Sequence, residues 1–364
     1  MANIKLIDVK KSYVEGQTTI ENLNLEINDG EFVVLLGPTG SGKSAILRLI
    51  AGLDTIDEGS LYIGDTLSNE LMPKDRNLAM VFQNQQLLPA NVYENIAFGL
   101  KLRKLSYEEI NIKVREIARI LDIENILQRK PKTLTALERQ RVTLARALVR
   151  DPNVCLFDDV LASLDDTLTK RVRSELIKLQ YRLGSTFIYA TRDQIDAMTM
   201  ASRLIVLNNG KIEQDGTPKD IYLNPKTVFV ASYIGSPNIA LFSASLVKTD
   251  SGASLEMLGK TFELPTSVVS KIKEVKDLEL TVGIRPEDMK IVETDGDITA
   301  TVDSVDNYGA YKVATLKLDQ KTLNDFSVII PAETELEVNV EVQVKFNFEK
   351  MHLFERESEE TIFN

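Results

Sequence analysis

The chain has 364 residues, more than a single hydrophobic core usually serves, so two domains are expected. Its 54 acidic and 43 basic residues leave a net charge of −11, which repels a phosphate backbone, and no basic cluster interleaved with aromatics interrupts it; nucleic acid is not expected as a partner. Cys155, the one cysteine, cannot form an internal disulfide and reads as a small buried hydrophobe, in keeping with a reducing compartment. No stretch approaches the ~20 apolar residues of a membrane span, and Met1 to Lys5 lacks the apolar core of a signal peptide, so any work at a membrane is expected to proceed by docking.

In chain order, short apolar runs alternate with turn residues, and 4–9, 23–27, 32–36, 60–63 and 79–82 read as strands. Between the third of these and a helix-like run at 45–50 lies Gly37-Pro38-Thr39-Gly40-Ser41-Gly42-Lys43-Ser44. Glycines let successive backbone N–H groups turn inward around phosphates, Lys43 reaches the outer phosphates, and the Ser44 hydroxyl suits Mg²⁺. A strand before this loop and a helix after it predict binding of a nucleoside triphosphate.

From 92 to 150 the strand signals give way to helical periodicity, as in Ile110, Val114, Ile117, Ile120 and Leu121, and a helical lobe of about 84–150 is expected. Alternation returns with strands at 154–157, 186–190 and 204–207 and helices at 167–183 and 194–201, the pattern of an α/β phosphate-loop NTPase core. Val154-Cys155-Leu156-Phe157-Asp158 is an apolar strand ending in a carboxylate, which places Asp158 on the metal side. Gln83, at the end of another strand, could reach the metal or the attacking water. Near Ile234-Gly235-Ser236-Pro237-Asn238 the pattern changes, dividing an ATP-binding domain at 1–237 from a smaller all-β domain at 238–364. Strands at 280–284, 299–305, 312–318, 327–330 and 338–346 suit a small barrel of the oligonucleotide-fold type.

The order of motifs resembles the ATP-binding subunits of ABC transporters, specifically carbohydrate importers of the maltose type. The likeness runs through Tyr13, the phosphate loop, Gln83, the stretch Val92-Tyr93-Glu94-Asn95-Ile96-Ala97-Phe98-Gly99-Leu100, Arg139-Gln140-Arg141-Val142, Leu164-Asp165, Gln214-Asp215-Gly216-Thr217-Pro218, Val282-Gly283-Ile284-Arg285-Pro286-Glu287-Asp288 and Met351-His352-Leu353-Phe354. It implies that Tyr13 stacks on adenine, that Gln83 is the glutamine-loop residue and that Asp165 belongs to the D-loop. It also implies ATP and Mg²⁺ as cofactors, with a C-terminal domain of regulatory type. A histidine at the place of His352 is shared with the family, and a structural role is expected for it.

Four departures from the family pattern fall on residues that touch ATP. The second Walker B carboxylate, a glutamate in the family, is Asp159, one methylene shorter; a misplacement of about 1 Å can cost roughly a hundredfold in rate. The switch histidine is replaced by Arg192, always charged, which could donate to a phosphate or pair with Asp159. The signature loop reads Leu134-Thr135-Ala136-Leu137-Glu138, adding bulk and negative charge where a backbone must approach phosphate; the same residues also spell a capped helix start. Ala45 stands where the family has threonine, which removes a hydrogen bond worth on the order of 0.5–1.5 kcal/mol. The segment 84–91, in a region that helps receive a permease helix in the family, is one residue short.

Family members dimerise head to tail with two ATP molecules between one subunit's phosphate loop and the other's signature loop. The resemblance therefore implies an ATP-binding subunit of a sugar importer with weakened hydrolysis, peripheral on the cytoplasmic face of the plasma membrane. It would pair with a more orthodox ATPase subunit on two transmembrane permease subunits served by an extracytoplasmic solute-binding protein. A fully active homodimeric transport ATPase and a non-hydrolysing ATP-sensing subunit are the alternative expectations.

Overall fold

The computed structural model describes residues 3–14, 17–83, 86–162, 164–250, 252–318 and 325–364. Two compact units divide between Pro218 and Lys219, ahead of the pattern change at 234–238.

In the first unit, the five residues of β3 (Phe32–Leu36) are all buried, as a strand covered on both faces requires. It follows β1 (Ile4–Val14) and β2 (Gln17–Ile27), an antiparallel pair. β1 runs well past residue 9, where alternation stops being readable, because Asp8 adopts a positive φ of 50° and the register shifts repeatedly beyond Leu6. Helix α1 (Lys43–Ala51) starts from Gly42 at φ 97° and stops at Gly52, in the left-handed C-cap conformation. Buried Arg76 donates to the Leu49 and Ile50 carbonyls at the end of this helix, 2.8 and 2.9 Å away. Ile46, Leu47, Leu49 and Ile50 are fully buried, each worth roughly 1.5–3 kcal/mol, and they fix the axis of the helix that carries the loop.

β4 (Glu58–Ile63) and β5 (Thr66–Leu67) complete an antiparallel sheet in the order β2-β1-β4-β5. After β6 (Leu78–Phe82) comes a run of helices: α2 (Val92–Leu102), α3 (Tyr107–Ile120) and α4 (Ala136–Leu148). Asn91 caps α2, and reciprocal Ser106–Glu109 bonds start α3, whose buried stripe is Ile110, Val114, Ile117 and Ala118. The chain then returns through β7 (Val154–Asp158), α5 (Asp166–Leu183), β8 (Thr186–Thr191), α6 (Gln194–Met200), β9 (Arg203–Asn208) and β10 (Lys211–Gly216). The main sheet is ordered β10-β9-β3-β8-β7-β6, with β3, β6, β7, β8 and β9 parallel. Cys155 is buried in β7.

The second unit holds nearly all of α7 (Pro218–Leu223), α8 (Val228–Tyr233), one further helical turn and two five-stranded antiparallel sheets, an all-β barrel-like domain. One sheet is β13-β12-β11-β14-β20, from β11 (Ala240–Thr249), β12 (Gly252–Met257), β13 (Lys260–Glu263), β14 (Leu278–Ile284) and β20 (His352–Glu355). The other is β15-β19-β16-β17-β18, from β15 (Met289–Val292), β16 (Ile298–Asn307), β17 (Tyr311–Lys317), β18 (Phe326–Pro331) and β19 (Glu341–Phe346). The strand expected at 338–346 starts only at Glu341. Asn339 turns at φ 65°, leaving Val338 and Val340 50% and 42% exposed, so their alternation is that of a turn. Arg285 is buried at the end of β14. Its guanidinium lies 4.1 Å from the Tyr222 ring centroid and donates to the carbonyls of Tyr222, Ala231 and Ile234.

Candidate nucleotide-binding site

Parallel strands bring β3, β7 and β8 to one edge, and the loop from Gly37 to Gly42 leaves the end of β3 there. Gly37 has no room for a side chain, since a Cβ would sit 2.2 Å from the Leu207 carbonyl oxygen. Gly40 and Gly42 both take positive φ, 84° and 97°, and the Ser41 N–H donates to the Pro38 carbonyl at 3.2 Å. The Lys43 ammonium donates to the Gly37 and Pro38 carbonyls, both at 2.7 Å, and to Ser41 Oγ at 3.1 Å. All three of its donors are satisfied by the loop itself. Burial lowers its pKa, against the opposing pull of Asp159 and Asp158, so it is a partly desolvated cation held on the carbonyls of the loop.

The hydroxyl of Ser44, on the first turn of α1, donates to Asp158 Oδ1 at 2.7 Å, joining two oxygens far apart in the chain. At the next residue the backbone turns sharply. Asp159 has φ 50° and donates its N–H to the Ala190 carbonyl at 2.9 Å. Burial raises its carboxyl pKa, opposed by Arg192, whose Nη2 lies 3.5 Å from Asp159 Oδ2. The Arg192 side chain is 55% exposed, and its Nη1 also reaches Thr39 Oγ1 at 3.5 Å. Thr39, Gly40, Gly42, Lys43, Ser44, Ala45, Gln83, Asp158, Asp159 and Arg192 line one cleft of about 410 Å³. Thr19 and Ala190 line it too; neither stands out in the sequence, Thr19 being a polar residue in a strand and Ala190 an apolar one.

Other expected site residues lie outside this cleft. Tyr13 is half exposed on β1, its hydroxyl donating to Asp54 Oδ2, a carboxylate that Arg48 also clasps at 2.7 and 2.9 Å. Burial and Asp54 push the phenol up to about 12, and the Lys11 ammonium stands 5.5 Å from the ring centroid. Asp165 caps α5, accepting from the Leu168 N–H at 2.9 Å. In the signature loop, Leu134 is buried and extended, and Thr135 caps α4: its Oγ1 accepts from the Glu138 N–H at 3.2 Å. Glu138 Oε2 accepts from the Thr135 N–H at 2.8 Å, and Arg129 holds Oε1 at 2.9 Å. Ala136 and Leu137 form the first turn. His352 sits in the second unit, opposite Gly283 on β14, and burial depresses its imidazole to about 4.

Residues 20–162 match the family model described as ABC transporter, and 282–354 match that of the TOBE domain. The chain is 41% identical to the oligosaccharides import ATP-binding protein MsmX of Bacillus subtilis, with 99% of both chains covered. The chain belongs to the ABC transporter family of ATP-binding proteins. A second relative of this ABC protein, the sn-glycerol-3-phosphate import ATP-binding protein UgpC of Paraburkholderia xenovorans, is 43% identical over 98% of both chains. Among solved structures, cbiO1 of Clostridium perfringens, part of the ABC transporter complex cbiONQ, matches with a TM-score of 0.57 and 26% identity, covering 61% of this chain and 90% of that one. Members of the family couple ATP hydrolysis to transport. Among the described residues of this ABC protein, no helix is long and apolar enough to cross a membrane.

Proposed function

We propose that the chain is the ATP-binding subunit of an importer for sugars or oligosaccharides, with an ATP site that binds well and hydrolyses slowly. The cleft where the phosphate loop meets the Asp159–Arg192 pair carries this reading. Lys43 would exchange the Gly37 and Pro38 carbonyls for phosphate oxygens, and the loop N–H groups would cradle the chain of phosphates. Ser44 and Asp158 are the oxygen pair suited to Mg²⁺, which prefers a few hard donors and shares the rest of its shell with phosphates and water. Bound there, the ion neutralises charge on the phosphates. Gln83 would position the attacking water and Tyr13 would stack on adenine.

Asp159 would polarise that water but is one methylene shorter than the family's glutamate, and the Arg192 guanidinium lies 3.5 Å from its carboxylate. The signature residues offered to a second subunit are engaged in closing their own helix, Thr135 and Glu138 with each other. Both observations support pairing, head to tail, with a more orthodox ATPase subunit rather than with a second copy.

An apolar groove of about 800 Å³, with Leu53, Phe82, Leu88, Phe98 and Leu102 among its lining residues, follows β6 and adjoins the shortened segment 84–91, of which 84 and 85 lie outside the described residues. We place a permease helix there, holding the chain to the cytoplasmic face of the membrane beneath two permease subunits that receive solute from an extracytoplasmic binding protein.

Purification of the tagged chain from membranes of the cells that encode it tests the assembly. The expected complex contains two integral membrane subunits, one copy of this chain and one different ATPase subunit. Two copies of this chain with ordinary transport-coupled hydrolysis would contradict the pairing. Uptake of labelled oligosaccharide against labelled glycerol phosphate in cells lacking the chain decides between the solute classes named for its relatives.

A further inference from the structure

Two aspartates that follow α1 hold the end of β1, and they hold different parts of it. Asp57 fastens the backbone: its Oδ1 accepts from the Lys11 ammonium at 2.7 Å, its Oδ2 accepts from the Ser12 N–H at 2.8 Å, and its own N–H donates to the Lys10 carbonyl at 3.1 Å. Asp54 fastens a side chain. Its Oδ2 accepts from the Tyr13 hydroxyl, while Arg48 of α1 donates to both of its oxygens, at 2.7 and 2.9 Å.

The fold does not need the second of these bonds. Water serves the hydroxyl of a half-exposed tyrosine nearly as well, and Asp57 already secures the strand. What Asp54 fixes is the orientation of one ring. The Arg48 guanidinium, and after it the Tyr13 hydroxyl, hold the Asp54 carboxyl below its ordinary value, so the acceptor stays ionised. The Lys11 ammonium, 5.5 Å from the ring centroid, braces the ring from another direction. Arg48 and Ser44 are four residues apart on the exposed side of α1, about 6 Å along its axis. One rigid helix therefore carries the Ser44 hydroxyl at its start and, a turn later, the clasp that orients the ring.

We propose that Asp54, clasped by Arg48, is a positioning residue for nucleotide binding: it holds the Tyr13 ring in the orientation that meets the base. The inference rests on the reading that Tyr13 stacks on adenine and names what keeps the ring in place. An exposed tyrosine free to change rotamer loses that freedom when a base stacks on it, and a ring already anchored through its hydroxyl loses less. The gain falls on the base alone, because the phosphates are held at the other end of α1 by Lys43 and the loop.

The test compares binding of ATP and of inorganic tripolyphosphate, which lacks the base, to the full chain by calorimetry with Mg²⁺ present. Tyr13→Phe keeps the ring and removes its anchor; Asp54→Ala removes the acceptor. Each is expected to weaken ATP binding about threefold or more and to leave tripolyphosphate within about twofold of wild type. The double variant is expected to bind ATP no more weakly than Asp54→Ala alone, since one bond is lost in all three. Equal losses for ATP and tripolyphosphate in Asp54→Ala would make the residue a support of α1 and overturn the proposal. Tyr13→Ala separates it from the reading on which it rests. If Tyr13→Ala weakens ATP at least about fivefold while Tyr13→Phe and Asp54→Ala bind like wild type, stacking stands and positioning falls. If Tyr13→Ala binds ATP like wild type, both fall.

Discussion

Lys43 shows how one residue couples the rest state of the site to its function. Its three donors close on Gly37, Pro38 and Ser41, so a phosphate must replace bonds already made, and net affinity reflects the difference between two sets of charge-assisted contacts. Asp159 and Arg192 form a pair of the same kind, separated by a whole strand and helix in sequence and 3.5 Å in space. His352 acts on stability instead. Its folded-state value near 4 lies below the ordinary 6.5, so the folded chain keeps it neutral while the unfolded chain takes up a proton as pH falls. The resulting stability is complete above about pH 6.5 and is lost progressively toward pH 4, by up to about 3 kcal/mol. Urea unfolding of wild type and His352→Gln from pH 7.5 to 4 checks this. The difference between them should shrink against wild type over that interval and stay flat above it.

Among the elements, α4 carries the sharpest conflict between two uses of the same residues. The Thr135–Glu138 box satisfies two N–H groups at its start, and Arg129 ties the glutamate further. Thr135→Ala should therefore lower the stability of the first unit by about 1 kcal/mol, read from its thermal or urea midpoint. The box was legible in the sequence because Thr-x-x-Glu has fixed spacing, and the phosphate loop and the carboxylate ending β7 were legible for the same reason. The buried strand β3 could be read to the residue, since an all-apolar run leaves little choice. β1 could not be, because its bulges break the alternation on which the reading depends. β11, β12 and β13 also went unread: their exposed faces carry serine, lysine and glutamate, and small alanines and a serine fill several of the buried positions, so the alternation is weak in composition. The groove over α2 was illegible for a different reason. Its lining is gathered from the end of α1, from β6, α2 and α4, and no single window of sequence contains it.

At the scale of the molecule, the chain joins an α/β unit that holds nucleotide-binding chemistry to a β unit with a separate core, and full-length similarity to import ATP-binding proteins accounts for both. In the nucleotide cleft Lys43 and Arg192 are balanced by Asp158 and Asp159, so a bound Mg²⁺ would have to offset most of the charge an anionic nucleotide brings. On the proposed reading, the phosphate loop keeps its glycines, Lys43 and Ser44 while Asp159 and Arg192 depart from the family pattern, so binding and turnover should separate. Steady-state ATP hydrolysis by the purified full chain, as wild type and as Asp159→Glu with Arg192→His, with ATP binding measured in parallel, tests this most directly. Tight binding with slow turnover in wild type, rising at least about tenfold in the double variant, is the expected result. Rapid hydrolysis by wild type that the double variant does not exceed would contradict it.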